Sequence, residues 1–354
     1  MRPTTTITGI LILTCLVGAG CHKHRGPFEP VEVKALRDTT PVPSKGDAAD
    51  DPAIWINRAN PENSAIIGTN KKDGLAVYTL YGRQQHYYSI GLPNNVDVRY
   101  DFPLSTGLVD IVVTEDRAHG TVRVFAIHPE TLALREISFG SQSAGMDVYG
   151  MGLYHDRSAA KHYVFVGSKS GEVRQFELVT TDKGTVILRR VRTMKLESQV
   201  EGIVADDELG VVYIGEERTG IWRFGAHPDA PGRGTLIAPI GTEQPLQRPD
   251  VEGLAIYTTG PGTGYLVASS QGANEYVIFR REEPNAYVGT FRVVKGIVDG
   301  TTNTDGLDAT SHPLSDEFPR GLVVVQDGRN SRGNQNFKLI PWNHIADAFS
   351  PPLD

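Results

Sequence analysis

Acidic side chains recur along this chain beside glycines and at the starts of apolar runs. The set comprises Asp51, Glu201, Glu216, Glu217, Glu252, Asp299 and Asp305. Carboxylates brought together repel one another unless cations neutralise them. Hard cations such as Ca²⁺ take about six to eight oxygen ligands, largely carboxylates and carbonyls. The set therefore predicts a site for several metal ions, most simply calcium, although any single acid of this kind could instead cap a turn.

Basic residues lie in the loops that follow the predicted second strands. Lys71 and Lys72 are in the first of these loops, Arg117 is in the second and Lys169 is in the third. If the repeats superpose, these side chains form an arc beside the acids. A metal polarises P–O bonds, and Lys or Arg holds phosphoryl oxygens. The combination predicts a polyanionic phosphate substrate, with solvated turn charges as the alternative.

The elements that must position these groups repeat about every 50 residues, as short runs rich in β-branched and aromatic residues. The predicted starts are Asp51-Pro52, Asp97-Val98, Tyr149-Gly150, Glu201-Gly202, Glu252-Gly253 and Asp305-Gly306. The repeat predicts an all-β fold, a six-bladed β-propeller with four-stranded antiparallel blades around a central channel. Equivalent positions would converge on one end of that channel. A pair of β-sandwiches is the alternative.

Composition excludes several classes of function. The net charge is −7, which argues against nucleic-acid partners because these usually need a basic face. The two cysteines are Cys15 and Cys21, so residues 22–354 can form no disulfide, thiolate metal site or cysteine nucleophile. The chain has no Gly-x4-Gly-Lys-Ser/Thr loop for a nucleoside triphosphate and no Gly-x-Ser-x-Gly nucleophile motif.

The N-terminal residues 1–21 are typical of a secretory signal, with an apolar stretch over residues 7–17 that is too short to span a bilayer. Cys21 after small residues resembles a lipoprotein processing site, and plain cleavage and release is the alternative. The sequence predicts a tether at 22–46, a propeller at 47–349 and a tail at 350–354. Residues 31–36 alternate apolar and polar, which predicts either a strand that closes the ring against the last blade or a linker. We expect an exported monomer, a lipoprotein facing the periplasm or the outer membrane or else a secreted protein, with a lipid on Cys21 as its only link to a membrane.

The motifs in these repeats closely resemble those of the β-propeller phytases across residues 47–349. The motifs that carry the resemblance are Asp50-Asp51-Pro52-Ala53-Ile54-Trp55, Gly68-Thr69-Asn70-Lys71-Lys72, Asn94-Asn95-Val96-Asp97, Glu201-Gly202, Gly215-Glu216-Glu217, Asp250-Val251-Glu252-Gly253, Thr304-Asp305-Gly306, Gln326-Asp327-Gly328 and Asn336-Phe337-Lys338. The resemblance implies calcium-dependent hydrolysis of phytate, myo-inositol hexakisphosphate, as a 3-phytase, with a calcium-bound water or hydroxide as nucleophile.

The resemblance also implies roles for individual residues. It implies calcium ligands at Asp51, Tyr149, Glu201, Glu217, Glu252, Asp299 and Asp305, of which Tyr149 and Glu201 also belong to the catalytic set. It implies phosphate contacts from Lys71, Lys72, Arg117 and Lys169, arranged as two adjacent phosphate pockets. Fold-bracing calcium positions are implied at Asp250, Gln271, Asp327 and Asn336. Two positions depart from the family pattern, Ser170 after Lys169 and Asn303 in the Asp299 loop, and both replace an acid that is common there.

Two other functions fit a propeller with a metal site. A calcium-dependent lactonase or arylesterase would use a metal at the channel, but it needs an apolar acyl pocket rather than an arc of Lys and Arg. A binding propeller without catalysis would not need a carboxylate at nearly every blade start.

Overall fold

The computed structural model describes residues 26–354, and the predicted signal segment with Cys21 lies outside these residues. The first two strands are β1 (Val31–Lys34) and β2 (Arg37–Asp38). The alternating segment does form a strand, but β1 pairs in parallel with residues 291–294, and it is β2 that pairs with residues 338–339 near the end of the chain. Just before β1, the ring of Phe28 packs edge-on against Tyr287, with 5.3 Å between the ring centroids.

The rest of the chain folds as consecutive antiparallel units, which we call units one to six. Units one to five each have four main strands, with the short β11 added to unit two, and unit six has three strands that β2 completes to four. Units one to three contain β3 (Ala49–Trp55), β4 (Ala65–Asn70), β5 (Gly74–Thr79), β6 (Gln84–Ser89), β7 (Val96–Leu104), β8 (Gly107–Asp116), β9 (Thr121–Ile127), β10 (Leu134–Glu136), β11 (Gln142–Ser143), β12 (Met151–Asp156), β13 (Lys161–Gly167), β14 (Glu172–Thr180) and β15 (Val186–Lys195). Units four to six contain β16 (Val200–Asp206), β17 (Val211–Glu216), β18 (Gly220–Gly225), β19 (Thr235–Pro239), β20 (Val251–Gly260), β21 (Thr263–Ser270), β22 (Glu275–Arg280), β23 (Tyr287–Val294), β24 (Leu307–Thr310), β25 (Leu322–Asp327) and β26 (Asn336–Pro341).

The strand pairing is propeller-like. Units three and four join into one eight-stranded sheet through a parallel bridge between Met151 and Gly202, and β1 and β2 extend the outer edges of units five and six. The first strands β3, β7, β12, β16, β20 and β24 each contact the next, and β24 contacts β3. The predicted all-β class with several four-stranded antiparallel sheets is confirmed.

The hydrophobic core lies between neighbouring units. Strand β25 illustrates this, because Val323 and Val325 pack into the cluster shared with unit five, whereas Leu322 and Val324 pack into the cluster shared with unit one. Successive side chains of a strand point to opposite faces. Both faces of the sheet are therefore buried, which explains why this strand is a continuous apolar run.

Glycines near the starts of the first strands allow these strands to approach one another. A Cβ on Gly202 would lie 1.9 Å from the carbonyl oxygen of Glu252, and one on Gly150 would lie 2.2 Å from that of Glu201. Backbone approach this close excludes any side chain. At these two positions the group that approaches the glycine is the backbone of the neighbouring strand.

Helical structure is limited to short segments. The structure has one α-helix, α1 (Trp342–Ala346), and 3₁₀ turns at Pro61–Asn63 and Gln271–Ala273 in the part of the chain that it describes. Within residues 26–354, no helix is long and apolar enough to cross a membrane. The C-terminal residues pack on the fold, since the backbone N–H of Asp354 donates to the hydroxyl of Tyr265 at 3.0 Å and its carbonyl accepts from the indole of Trp342 at 2.9 Å.

Candidate functional site

A polar cavity of about 320 Å³ lies where the first strands begin. Its walls come from several units and carry mainly carboxylates and carboxamides: Asp47, Asp50, Lys71, Tyr149, Gln199, Glu201, Glu217, Asp250, Glu252, Gln271, Asn303, Asp305 and Gln335. Residues that are far apart in sequence meet here because equivalent strand starts converge. The predicted convergence of acids is therefore observed for Glu201, Glu217, Glu252 and Asp305.

Three buried glutamates form the centre of the cavity wall. One carboxylate oxygen from each of Glu201, Glu217 and Glu252 lies within 4.8 Å of the others. Burial raises the pKa of Glu252 to about 8, and burial also raises the pKa values of Glu201 and Glu217. The Oε2 atom of Glu252 has no hydrogen-bond partner among the described residues. Such a cluster can bind a cation or, without one, hold protons.

The ammonium group of Lys71 lies among other carboxylates of the same cavity. Its Nζ lies 2.7 Å from Asp50 Oδ1, 2.9 Å from Asp47 Oδ1 and 3.3 Å from Asp305 Oδ2. Burial alone would lower the pKa of Lys71, but the charges of Asp50 and Asp305 raise it above its ordinary range. Lys71 is thus a permanent positive charge inside the acidic cavity.

Asp50, rather than the predicted Asp51, lines this cavity. The two acids lie where the pairing of β3 with β4 shifts register, between Ala49 and Pro52, and their side chains enter different spaces. Asp51 lies instead in a smaller space of about 40 Å³ along the channel. There its Oδ2 accepts a hydrogen bond from the backbone N–H of Val96 at 3.0 Å. Burial raises the pKa of Asp51 well above its ordinary range.

Three of the predicted basic residues form an arc beside Tyr149. Lys169 Nζ lies 4.4 Å from the centroid of the Tyr149 ring, and the guanidinium carbon of Arg117 lies 5.9 Å from it. Arg117 Nη2 donates to the carbonyl oxygen of Lys71 at 2.9 Å, which connects the arc to the cavity. Lys72 is exposed and its Nζ donates to the carbonyl of Lys45 at 2.7 Å, away from these groups. Burial and the charge of Glu201 raise the pKa of Tyr149 above its ordinary range.

A second acidic cluster surrounds the fully buried Lys338. Its Nζ contacts Asp299 Oδ1, lies 3.2 Å from Asp327 Oδ2 and lies 3.6 Å from Asp38 Oδ2. Burial favours a raised pKa for Asp299, but Lys338 and the backbone N–H of Ser331 lower it below its ordinary value. Asp299 was expected among the channel-end ligands, yet it does not line the cavity, because its loop turns toward β26.

The predicted bracing residues divide between the two clusters. Asp327 and Asn336 belong to the Lys338 cluster, where Asp327 Oδ2 lies 3.2 Å from the Lys338 ammonium and Asn336 Oδ1 has no hydrogen-bond partner among the described residues. Asp250 and Gln271 line the cavity, and Gln271 Nε2 donates to Asp305 Oδ1. Gln271 therefore orients one of the predicted ligands directly.

Sequence reasoning missed several lining residues, including Asp47, Asp50, Gln199 and Gln335. Asp50 neighbours the predicted ligand Asp51, but the register shift between Ala49 and Pro52 removes the period that could have chosen between them. Gln199 precedes Glu201 by two residues and donates through Nε2 to Glu217 Oε1. Gln335 offered no periodic signal, since its Oε1 accepts from the backbone N–H of Ala49 at 2.9 Å across the junction of units one and six.

Comparison with known proteins agrees with this geometry. A protein-family model described as Phytase matches residues 3–354. The 3-phytase of Bacillus subtilis (strain 168) is 42% identical over 352 residues, which cover 97% of this chain and 91% of that protein. The solved structure of the calcium-binding protein regucalcin from Agrobacterium tumefaciens str. C58 is similar in fold alone, with a TM-score of 0.54 and 9% identity over 87% of this chain and 95% of that one. Given the family match over nearly its whole length, the chain belongs to the phytase family.

Proposed function

We propose that this protein is a calcium-dependent 3-phytase that hydrolyses phytate to lower inositol phosphates and phosphate. The observation that carries the proposal is the buried cluster of Glu201, Glu217 and Glu252 beside the cationic groups of Lys71, Arg117 and Lys169. The 42% identical 3-phytase supports the same activity. A phosphate-rich substrate needs both a cation to offset its charge and fixed donors to orient it.

The cavity residues fit a hard cation. The unpartnered buried oxygens Glu252 Oε2 and Asp50 Oδ2 require either a proton or a cation nearby. The donor set is all oxygen, which suits calcium better than a softer metal. Glu201, Glu217, Glu252, Asp50 and Asp305 would hold the ions. Calcium bound there would supply positive charge that polarises the phosphoryl group and lowers the pKa of water.

The protein's own cationic groups would bind and orient phytate. Lys71 and Arg117 would hold the phosphate that reacts, because Arg117 donates to the backbone of Lys71 and so keeps the two groups together. Lys169 would hold a neighbouring phosphate from its position above Tyr149. Such charge-assisted contacts align the scissile P–O bond before attack. Lys72 would contribute long-range attraction rather than a fixed contact, since its ammonium is committed to the Lys45 carbonyl.

The Lys338 cluster is proposed as a bracing site for calcium. Asp299, Asp327 and Asn336 would provide oxygen ligands, and the unpartnered Asn336 Oδ1 supports this assignment. The cluster joins the N-terminal Asp38 to unit six through Lys338, so a cation there would stabilise the closure of the fold. We further propose that the six units form a closed six-bladed propeller, supported by the cyclic contacts of the first strands.

Export and a lipid on Cys21 remain proposals from the sequence, as does a monomeric state. A secreted or membrane-anchored enzyme would meet calcium and phytate outside the cytoplasm. Mass spectrometry of the mature protein would show a diacylglyceryl modification of Cys21 if the lipoprotein proposal holds.

Phosphate release from phytate by residues 22–354 tests the proposed activity. At neutral pH we expect release with calcium and its loss when a chelator is added. Folded, calcium-stabilised protein that releases no phosphate would contradict the proposal. Hydrolysis of lactones or aryl esters by that protein would support the esterase alternative, and phytate binding without hydrolysis would support a binding propeller.

A further inference from the structure

A buried asparagine from the loop between units one and two reaches across the channel to the glutamate cluster. Asn94 Nδ2 donates to Glu201 Oε1 at 2.5 Å, a contact between residues 107 positions apart. Both side chains are buried. We propose that Asn94 is a positioning residue that fixes the carboxylate of Glu201 for cation binding and catalysis. The inference rests on the proposed function of the cavity.

The loop that carries Asn94 is anchored from both sides. Glu115, whose side chain is fully buried, accepts through Oε1 from the backbone N–H groups of Asn94 at 2.7 Å and Asn95 at 2.8 Å. From unit one, the Thr69 hydroxyl donates to the carbonyl of Asn94 at 2.9 Å. Backbone groups of a loop held by buried side chains have little freedom to shift. The Asn94 carboxamide is therefore presented to Glu201 from a rigid support.

This support determines which oxygen of Glu201 is available to a cation. Three buried carboxylates so close together would rotate apart to reduce repulsion if nothing held them. Asn94 donates a hydrogen bond to Oε1 of Glu201, and this bond fixes the orientation of the Glu201 carboxylate toward Glu217 and Glu252. Hydrogen-bond partners that orient a metal ligand affect metal affinity and activity by about 10- to 100-fold.

The same loop also positions Arg117, one of the proposed phosphate-binding residues of the arc. The backbone N–H of Arg117 donates to the carbonyl of Leu92 at 3.1 Å, and the Asp116 carboxylate accepts from the N–H of Leu92 at 2.9 Å. Glu115, Asp116 and Arg117 are consecutive, so one strand end positions both the carboxylate cluster and a cationic group of the arc. Among the described residues, the side chain of Asn94 hydrogen-bonds to Glu201 and to none of the cationic groups. A change at Asn94 should therefore affect cation binding and turnover rather than substrate affinity.

The test compares Asn94→Leu with Gln175→Leu. Gln175 is equally buried and donates through Nε2 to the carbonyl of Ala226 at 2.8 Å, between units three and four, so it controls for the loss of a buried carboxamide. Isothermal titration with calcium should show at least tenfold weaker binding for Asn94→Leu, and kcat for phytate should fall about 10- to 100-fold while KM changes less than about threefold. Unchanged calcium affinity, or equal losses in Gln175→Leu, would overturn the inference.

A second pair of variants keeps the inference testable if Asn94→Leu does not fold. Glu115→Gln retains the acceptor for both loop N–H groups and should keep calcium affinity and kcat within about threefold of wild type. Glu115→Ala should lower both about as much as the loss of the Asn94 contact. Equal values in these two variants would overturn the role of the loop. Wild-type protein without phytase activity would refute the proposed function instead, whereas active wild type with normal Asn94 and Glu115 variants would refute only this inference.

Discussion

Replacing Lys71 by methionine removes the positive charge inside the acidic cavity while keeping the aliphatic stem. Lys71 is 16% exposed and its partner Asp50 is 2% exposed, so their contact is shielded from water. Breaking a buried ion pair by removing one partner costs about 3–5 kcal/mol. The contact with Asp47 adds little, because that side chain is 71% exposed.

This free-energy loss converts into a measurable shift in melting temperature. With an unfolding entropy of about 2.1 cal/mol/K per residue, a chain of this size changes its Tm by about 1.4 °C per kcal/mol. We therefore expect Lys71→Met to melt about 4–7 °C below wild type in a chelator. Saturating calcium should recover most of the difference, because bound cations neutralise Asp50 and Asp305. Activity should stay at least about 100-fold lower with calcium, since a phosphate donor is lost.

Differential scanning fluorimetry with chelator and with calcium, together with phosphate-release rates, measures both effects. Lys72→Met is the matched control for stability, because the Lys72 side chain is exposed and, among the described residues, makes one hydrogen bond, to the Lys45 carbonyl. Its Tm should stay within about 1 °C of wild type. If Lys71→Met melts like Lys72→Met in chelator, the reasoning that Lys71 is the internal counterion is refuted.

Three further predictions concern pH, bracing and substrate binding. The folded pKa of Glu252 is about 8, above its unfolded value of 4.5, so the calcium-free folded state binds more protons than the unfolded state between these values. The free energy of unfolding in chelator should therefore fall by roughly 1.4 kcal/mol per pH unit for each such group as pH rises from 5 to 8, and Tm should fall with it. A Tm–pH profile that is the same in Glu252→Gln would contradict this. Asp327→Ala should lower the calcium-free Tm by several degrees and keep kcat within about twofold of wild type, because it breaks the buried contact with Lys338 outside the cavity. Melting curves and initial rates measure the two effects, and a large loss of kcat with an unchanged Tm would count against a bracing role. Lys169→Ala should raise KM for phytate about tenfold, because a proposed phosphate contact is lost. Its Tm should not change, because the Lys169 side chain is exposed above Tyr149. An unchanged KM in steady-state kinetics would rule out the phosphate contact.

Much of the fold could be predicted because each repeat is a local pattern. The starts of the first strands follow from short β-branched runs bounded by turns, and β3, β16 and β20 begin within two residues of the predicted positions. The pairing of β1 could not be predicted, because an alternating segment of four residues fits the outer edge of any unit. Only packing against Phe291 and Val293, together with Phe28 on Tyr287, favours unit five.

Site residues could be predicted where an acid recurs at the same position of each repeat, as Glu201 and Glu252 do at the starts of their first strands. They could not be predicted where the choice depends on the direction of a side chain, as for Asp50 against Asp51. Contacts that cross the channel, such as Asn94 to Glu201, have no sequence period. The position of Asp299 beside Lys338 could not be predicted, because Lys338 lies in a strand whose sequence resembles ordinary core, where a buried lysine is rare.

The direction of β1 determines where the chain ends lie relative to the cavity. Strand β20 begins at the cavity and runs away from it. Because neighbouring strands of unit five are antiparallel, β23 runs toward the cavity, and so does β1, which is parallel to β23. Residue 31 therefore lies on the opposite face, as does Asp354, which is bonded to Tyr265 near the start of β21. Any anchor, tag or solid support joined directly at residue 31 or at Asp354 would be attached at the back of the molecule. The substrate entrance then points outward, so immobilised enzyme remains open to large or aggregated calcium phytate.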